Sequence, residues 1–494
     1  MSGNTIHRRP ARMGLALAAV TTGTLLVTAP APRAEATATA GPAGSVTVSG
    51  PSPFASCADP VKVNNTEFEP WLATRPHDPR RIAVAWQQDR SASGAARGGI
   101  VVATTRDGGT TWRSTPLPKL TKCSGGPFSG TSNPAVAYTT GGRLLAVAMA
   151  SSWGDSIVIL AYRSDDDGAT WSDPVELIRD PNPAYFNDRP SITTDPRDPS
   201  RAYVVWNRAR AEDNRHELMF TRTVDGGRTF EPARAIHRPA EPGAGTVGNQ
   251  IAVLPGGDLV NLFYEGDFPV AGPPNPAIPS RIRAARSADG GATWSAPATI
   301  TTTAVNDPLL PDAVRPVSAR GLVPDLGVDR RTGALYAVWG DATMAASRSS
   351  IGLSASYDGG RRWTAPIRVD RSPDSPAGGA GQAFLPQVDV GDSGEVAVTY
   401  HDFRANTPDP GAPTDVWMLT CRGPRCATAP KAWRERHLAG PFDIEKAATW
   451  SGAPYLGTSV GLGHTRAGFH AALVLTNDTP DNPQDIHVVR APSP

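Results

Sequence analysis

The sequence is most informative first for what it has little of. Four cysteines in 494 residues are too few to hold a fold together by cross-links, and a chain this long has enough core-forming residues without them. Charge of one sign is missing as well: 48 Lys+Arg against 47 Asp+Glu leave a net +1. No basic run stands out beyond the N-terminus, so a nucleic-acid partner has no electrostatic footprint. After residue 40 no segment is long and apolar enough to span a bilayer. There is no Walker loop and no dinucleotide fingerprint behind a strand, which argues against nucleotide enzymes. The cysteines have no Cys-x2-Cys spacing and no His-x3-His partner, which argues against a zinc site. No metal and no cofactor is therefore expected. Ca²⁺, the one ion that composition leaves open, has no dedicated loop.

What is present begins with an address. His7-Arg8-Arg9-Pro10-Ala11-Arg12 is cationic, Met13 to Ala29 is apolar and small, and Ala34-Glu35-Ala36 and Ala38-Thr39-Ala40 each offer a small-x-small cleavage site. Residues 1–40 read as a secretory signal and processing region of bacterial type, and 41–494 as one secreted domain, free of the membrane once cleaved. In an exported chain, four cysteines predict two disulfides. Proximity favours Cys421–Cys426, and with it Cys57–Cys123, among three possible pairings.

Gly and Pro are abundant, at 49 each. Prolines spread along the chain exclude long helices and suit short strands joined by turns. One octapeptide recurs five times, about 60 residues apart: Thr105–Trp112, Ser164–Trp171, Thr223–Phe230, Ser287–Trp294 and Ser356–Trp363. Its pattern is Ser/Thr-x-Asp-x-Gly-x-Thr-aromatic, with Arg362 in place of Thr in the last copy. Asp accepts backbone hydrogen bonds, Gly takes positive φ, and the aromatic packs between strands, which is hairpin-turn chemistry. This motif resembles the Asp-box, or BNR repeat, of the sialidase superfamily. The resemblance implies an all-β propeller of four-stranded antiparallel blades, with each box on the turn between third and fourth strands, opposite the substrate face.

Pro70, Pro134, Pro190, Pro324 and Pro386 open first strands, and Gln250 stands at the equivalent place. A last unit of Gly457–Leu462, Phe469–Thr476 and Ile486–Val489 lacks a fourth strand. Ser45–Ser49 is expected to supply it and close the ring. Seven blades are favoured, with six as the alternative.

If the boxes mark one face, ligand chemistry belongs to the other. That face collects second-strand ends and first-strand starts, where polarity appears abruptly after apolar runs. The candidate ligands for an acidic sugar are Arg189, Arg208, Arg404 and Arg90, since guanidinium binds carboxylate in a planar, bidentate way. Asn187, Gln88, Asp89 and Glu69 are the further substrate-binding candidates. For catalysis, the sialidase resemblance implies an arginine triad, an Asp acid/base and a Tyr–Glu nucleophile. Asp188, Asp89 and Asp402 fit the acid/base role. Glu265 is preferred without Tyr264, because adjacent strand residues face opposite ways. Arg189, Glu265 and Asp402 are expected to meet at one cavity.

The family's Phe-Arg-Ile-Pro motif is absent. Glu67 and Glu69 stand at the corresponding strand start. The favoured function is exo-cleavage of an acidic sugar from a polysaccharide or glycoconjugate by a monomeric, sialidase-like enzyme. One alternative is a uronate-directed lyase with His401 as base. The other is a non-catalytic glycan- or protein-binding propeller, with aromatics such as Trp153 for stacking.

Overall fold

The computed structural model describes residues 39–491 except 41–43, 92–93, 153, 270–274, 313, 320, 345–347, 375–378, 380 and 408. The expected signal segment and Trp153 lie outside the described residues. The rest is built of antiparallel strands in four-stranded groups. In the first group Glu67–Thr74 pairs with Ile82–Arg90, which pairs with Ala96–Thr105, which pairs with Arg113–Pro116. The same meander starts again at Gly130–Tyr138, Tyr185–Thr194, Ala244–Val253, Asp325–Val328 and Phe384–Val390. The last group runs Gly461–Thr465, Gly468–Thr479 and Asn482–Ala491; Ser45–Thr47 pairs beside the last of these, with Ser45 opposite Val489, and Thr39–Ala40 lies outside it. Each first strand lies against the first strand of the next group, and the last lies against Glu67–Thr74. Every sheet is open; none closes on itself.

The second strands explain why the chain folds this way. Ile82–Trp86, Leu144–Ala150, Ala202–Trp206 and Leu335–Trp339 are buried along their whole length. A strand covered on both faces needs a continuous apolar run rather than alternation, and these segments supply it. Burying each Val or Leu is worth about 1.5–3 kcal/mol.

The five boxes lie between third and fourth strands, as in Ala96–Thr105 followed by Arg113–Pro116. Asp107 Oδ1 accepts the backbone N–H of Thr110 and of Thr111, each at 2.9 Å, and its Oδ2 accepts the Thr111 hydroxyl at 2.6 Å. Asp166, Asp225 and Asp289 repeat these bonds with Thr170, Thr229 and Thr293, and Asp358 accepts from the Arg362 N–H. The carboxylate fills the role of a missing hairpin bond. Both disulfides, Cys57–Cys123 and Cys421–Cys426, are formed.

Candidate functional site

At the end of the sheets away from the boxes, a local backbone device recurs. Pairing slips between Phe68 and Trp71, Ser132 and Ala135, Asp188 and Ser191, Val247 and Gln250, and Phe384 and Gln387. Each slip is a β-bulge in a first strand. Within them Glu69 (φ 53°), Asn133 (50°), Arg189 (54°), Gly248 (69°) and Leu385 (52°) take positive φ. A proline follows in four of the five, where the missing N–H costs the ladder nothing. A left-handed non-glycine residue costs about 1–3 kcal/mol and persists only where its surroundings over-determine it. Here the bulge re-aims the side chain out of strand alternation.

Glu69, Asn133 and Arg189 consequently line one cavity of about 600 Å³, with Gln87, Asp188, Asn207, His216 and Thr458. Phe68, Tyr455 and Trp450 form one wall, and Phe186, Phe268, Val247 and Val323 contribute to the rest. Glu69 is buried in its lining, with 3% exposure. Its Oε1 accepts the Tyr455 hydroxyl at 2.6 Å, the Thr458 hydroxyl at 2.6 Å and the Thr458 N–H at 3.2 Å. Its Oε2 accepts the amides of Asn133 at 2.9 Å and of Gln87. Arg189 stands 3.7 Å from Glu69 and 3.9 Å from Asp188. Burial opposes the charge on Arg189, yet the Glu69 and Asp188 carboxylates outweigh it and hold its pKa above the ordinary arginine value. Burial pushes the Tyr455 phenol well above its usual value, and Glu69 adds to the shift. His216, also desolvated, falls to about 4 and is neutral at pH 7. Asp188 is the more accessible carboxylate, with its side chain 27% exposed.

Close approach at this site depends on one glycine. Gly457 has φ 113°, and a Cβ there would come within 2.5 Å of the Glu69 Cγ. The run Gly457-Thr458-Ser459-Val460-Gly461 has the spelling of a serine-hydrolase elbow, but it leads into the strand Gly461–Thr465 rather than a helix.

Of the residues expected at the site, Glu69, Asp188 and Arg189 line the cavity. Arg90 sits behind its aromatic wall. The others lie elsewhere, and Glu265 and Asp402 do not join Arg189 there. Glu265 Oε2 is 2.5 Å from His237 Nε2, and its Oε1 accepts from Arg283 at 2.5 Å. Although burial works against ionisation, these two partners hold the Glu265 carboxyl below its usual pKa. Asp402 accepts from Ser372 Oγ (2.6 Å), Arg404 Nε (2.5 Å) and the Trp417 indole (2.9 Å), and burial raises its pKa. Arg404 also bonds Glu435 and stacks 3.9 Å over Trp417. Arg208 is bidentate to Asp180 and stacks on Tyr185.

His401 is fully buried beside the Phe384 ring, its nitrogens without hydrogen-bond partners among the described residues, and burial lowers its pKa to about 3. Gln88 and Asn187 accept the indole N–H of Trp86 and Trp206, both at 2.8 Å. Asp89 holds the N-terminal segment through Ser52, Lys62 and Asn65. Tyr264 bonds Ser280 while Glu265 meets His237 and Arg283, so the neighbours do point apart.

The sequence reading missed Tyr455, Trp450 and Thr458. Tyr455 and Trp450 sit in a connection with no repeat signature. A usable signal did exist for the bulge positions: Glu69, Asn133 and Arg189 each directly precede a strand-opening proline.

Residues 80–245, about a third of the chain, match the family described as BNR repeat-like domain, in agreement with the repeats. No curated protein matches the chain. Among solved structures it is similar to a protein of unknown function from Dyadobacter fermentans (13% identity, 90% of this chain and 97% of that one, TM-score 0.49). It is also similar to an α-L-arabinanase of Penicillium chrysogenum complexed with arabinobiose (12% identity, 91% and 99%, TM-score 0.47). A NanB sialidase mutant from Streptococcus pneumoniae shares 11% identity, with 90% and 98% covered and a TM-score of 0.41.

Proposed function

We propose that this chain is a secreted, sialidase-like hydrolase of acidic glycans, built as a seven-bladed propeller, with its active site in the cavity around Glu69. The four-stranded groups and the contact of the last first strand with the first support the blade count. Two disulfides favour an oxidising compartment. The observation that carries the activity is the 2.6 Å bond from Tyr455 to Glu69, beside Asp188 and Arg189.

In this reading Arg189 meets the sugar carboxylate. The Tyr455 oxygen attacks the anomeric carbon while its proton passes to Glu69. The glycosidic C–O bond breaks, and Asp188 gives its proton to the leaving oxygen. Water then attacks the same carbon as the bond from that carbon to the Tyr455 oxygen breaks; Asp188 takes the proton of that water, and Glu69 returns the first proton to Tyr455. Elimination lacks the base assigned to it, because His401 does not line the cavity.

One observation favours the binding-module reading: Glu69 already accepts from five donor groups. Incubation with sialosides, uronate polysaccharides, plant gums and arabinans separates the readings. Hydrolysis releases reducing sugar with no unsaturated product. Tyr455→Phe and Asp188→Asn are expected to lower kcat by about 10²–10⁴-fold while sparing glycan binding. Unchanged turnover in both variants would refute the catalytic assignment. Binding without turnover in the wild type would favour the module.

A further inference from the structure

One buried cation has no part in that mechanism. Arg90 ends the strand Ile82–Arg90 and is 1% exposed. Its Nε donates to the Ser91 carbonyl at 3.3 Å. Its two amino nitrogens have no hydrogen-bond partner among the described residues. Its guanidinium carbon instead lies 4.9 Å from the ring centre of Phe68, 5.0 Å from that of Tyr455 and 5.5 Å from that of Trp450. These rings stand between Arg90 and the cavity, so the substrate-ligand role expected for it does not fit.

An unpaired guanidinium is costly to take out of water, and three ring faces return only part of that cost. One of the three is the ring whose hydroxyl meets Glu69. Resting on the reading of Tyr455 as nucleophile, we propose that Arg90 is a positioning residue that stabilises Tyr455 as its hydroxyl loses its proton. A cation over a ring face attracts the ring's π electrons. That electron density rises as phenol becomes phenolate, so the attraction grows along the reaction, which is what accelerates a step. The cage excludes water, which leaves the interaction weakly screened. Arg189 lines the cavity, 3.7 Å from the Glu69 carboxylate that the Tyr455 hydroxyl meets.

Arg90→Met keeps an unbranched apolar stem in the cage, and Arg90→Lys keeps the charge. The first readout needs no substrate. An aryl sulfonyl fluoride reacts with phenolates, and peptide mass spectrometry gives a labelling rate for each tyrosine. Tyr455 lines the cavity, which gives the reagent access to it. Arg90→Met should slow its labelling about tenfold with the other tyrosines unchanged and the melting temperature no lower, and Arg90→Lys should recover part of the rate. Equal Tyr455 labelling in wild type and Arg90→Met overturns the proposal. So does a loss that Lys does not rescue.

The second readout is kcat on a glycan the wild type cleaves. It should fall in Arg90→Met at unchanged KM and fall no further in a Tyr455→Phe background. Absence of cleavage by the wild type would sink the hydrolase reading, while the labelling result decides the role of Arg90 separately.

Discussion

The inner bulges of the first strands and the outer ends of the second strands carry the same kinds of residue to opposite effect. At the bulges, Glu69, Asn133 and Arg189 leave their own sheets and meet at one cavity. At the strand ends, Glu265, Arg208 and Asp402 find partners close by: Arg283, Asp180, Ser372 and Trp417. Polarity where a strand meets water is thus often internal satisfaction of the sheet, including the acceptors that buried indoles need. What separates the two regions is backbone. A positive-φ bulge turns a side chain toward the cavity, whereas a regular strand end leaves it to partners beside it: Arg283 and Trp417 on the next strand for Glu265 and Asp402, and Asp180 on the edge strand of the preceding group for Arg208.

The largest expected effect tests the bulge side. Gly457→Ala places a Cβ 2.5 Å from the Glu69 Cγ, at a φ that alanine tolerates poorly. The Glu69 backbone is as close, at 2.8 Å, so the bulge itself must move. Displacement by about 1 Å at a reacting centre costs about 10²-fold in rate. We expect a loss of that size in kcat/KM on any glycan the wild type cleaves. Unaltered kcat/KM would mean that the bulge geometry is not what organises the site.

Much of the fold was legible because turns and buried strands are local chemistry. The box Asp residues, their glycines and the runs Ile82–Trp86 and Leu335–Trp339 announce hairpins and covered strands in the sequence itself. The edge pairing of Ser45–Thr47 was legible from a count of missing strands. The site was legible only in part. Asp188, Arg189 and Glu69 stood out as charges at strand starts. Glu265 and Asp402 stood out equally, and nothing local reveals that Arg283, or Ser372 and Trp417, will occupy them. Tyr455 was invisible for a related reason: its partner Glu69 lies 386 residues away. Such a pairing is set by how the groups pack, not by any local pattern.

An intermediate effect tests the strand-end side. Glu265→Gln removes the charge that His237 and Arg283 share. Hydrogen bonds to a charged group are worth about 1.5–3 kcal/mol, so a loss of about 2 kcal/mol in unfolding free energy is expected, with turnover unchanged. The folded-state pKa of Glu265 is depressed, so its contribution is present above the unfolded value of 4.5 and fades as pH falls below it. The variant should therefore approach the wild type in stability at acid pH. A collapse of kcat in Glu265→Gln with stability intact would return this residue to the active site.

The smallest effect sharpens the same comparison through pH. His401 packs against Phe384 and Phe442, with both nitrogens unpartnered among the described residues, and its folded pKa of about 3 lies below the ordinary 6.5. Above pH 6.5 the ring is neutral folded or unfolded, and titration adds nothing to stability. Below it the unfolded chain binds a proton that the folded chain refuses, so stability falls as pH drops from 6.5 toward 3. The slope from one such group is about 1 kcal/mol per pH unit. His401→Leu removes that titration and fills a similar volume with apolar atoms, which suits a site that satisfies no polar group. Urea unfolding at pH 7 and pH 5 should show the variant near wild type at the first and about 1 kcal/mol or more ahead at the second. Equal acid sensitivity in both proteins would mean that the ring is hydrated or paired in the folded state, and the strand ends would then be less sealed than their contacts imply.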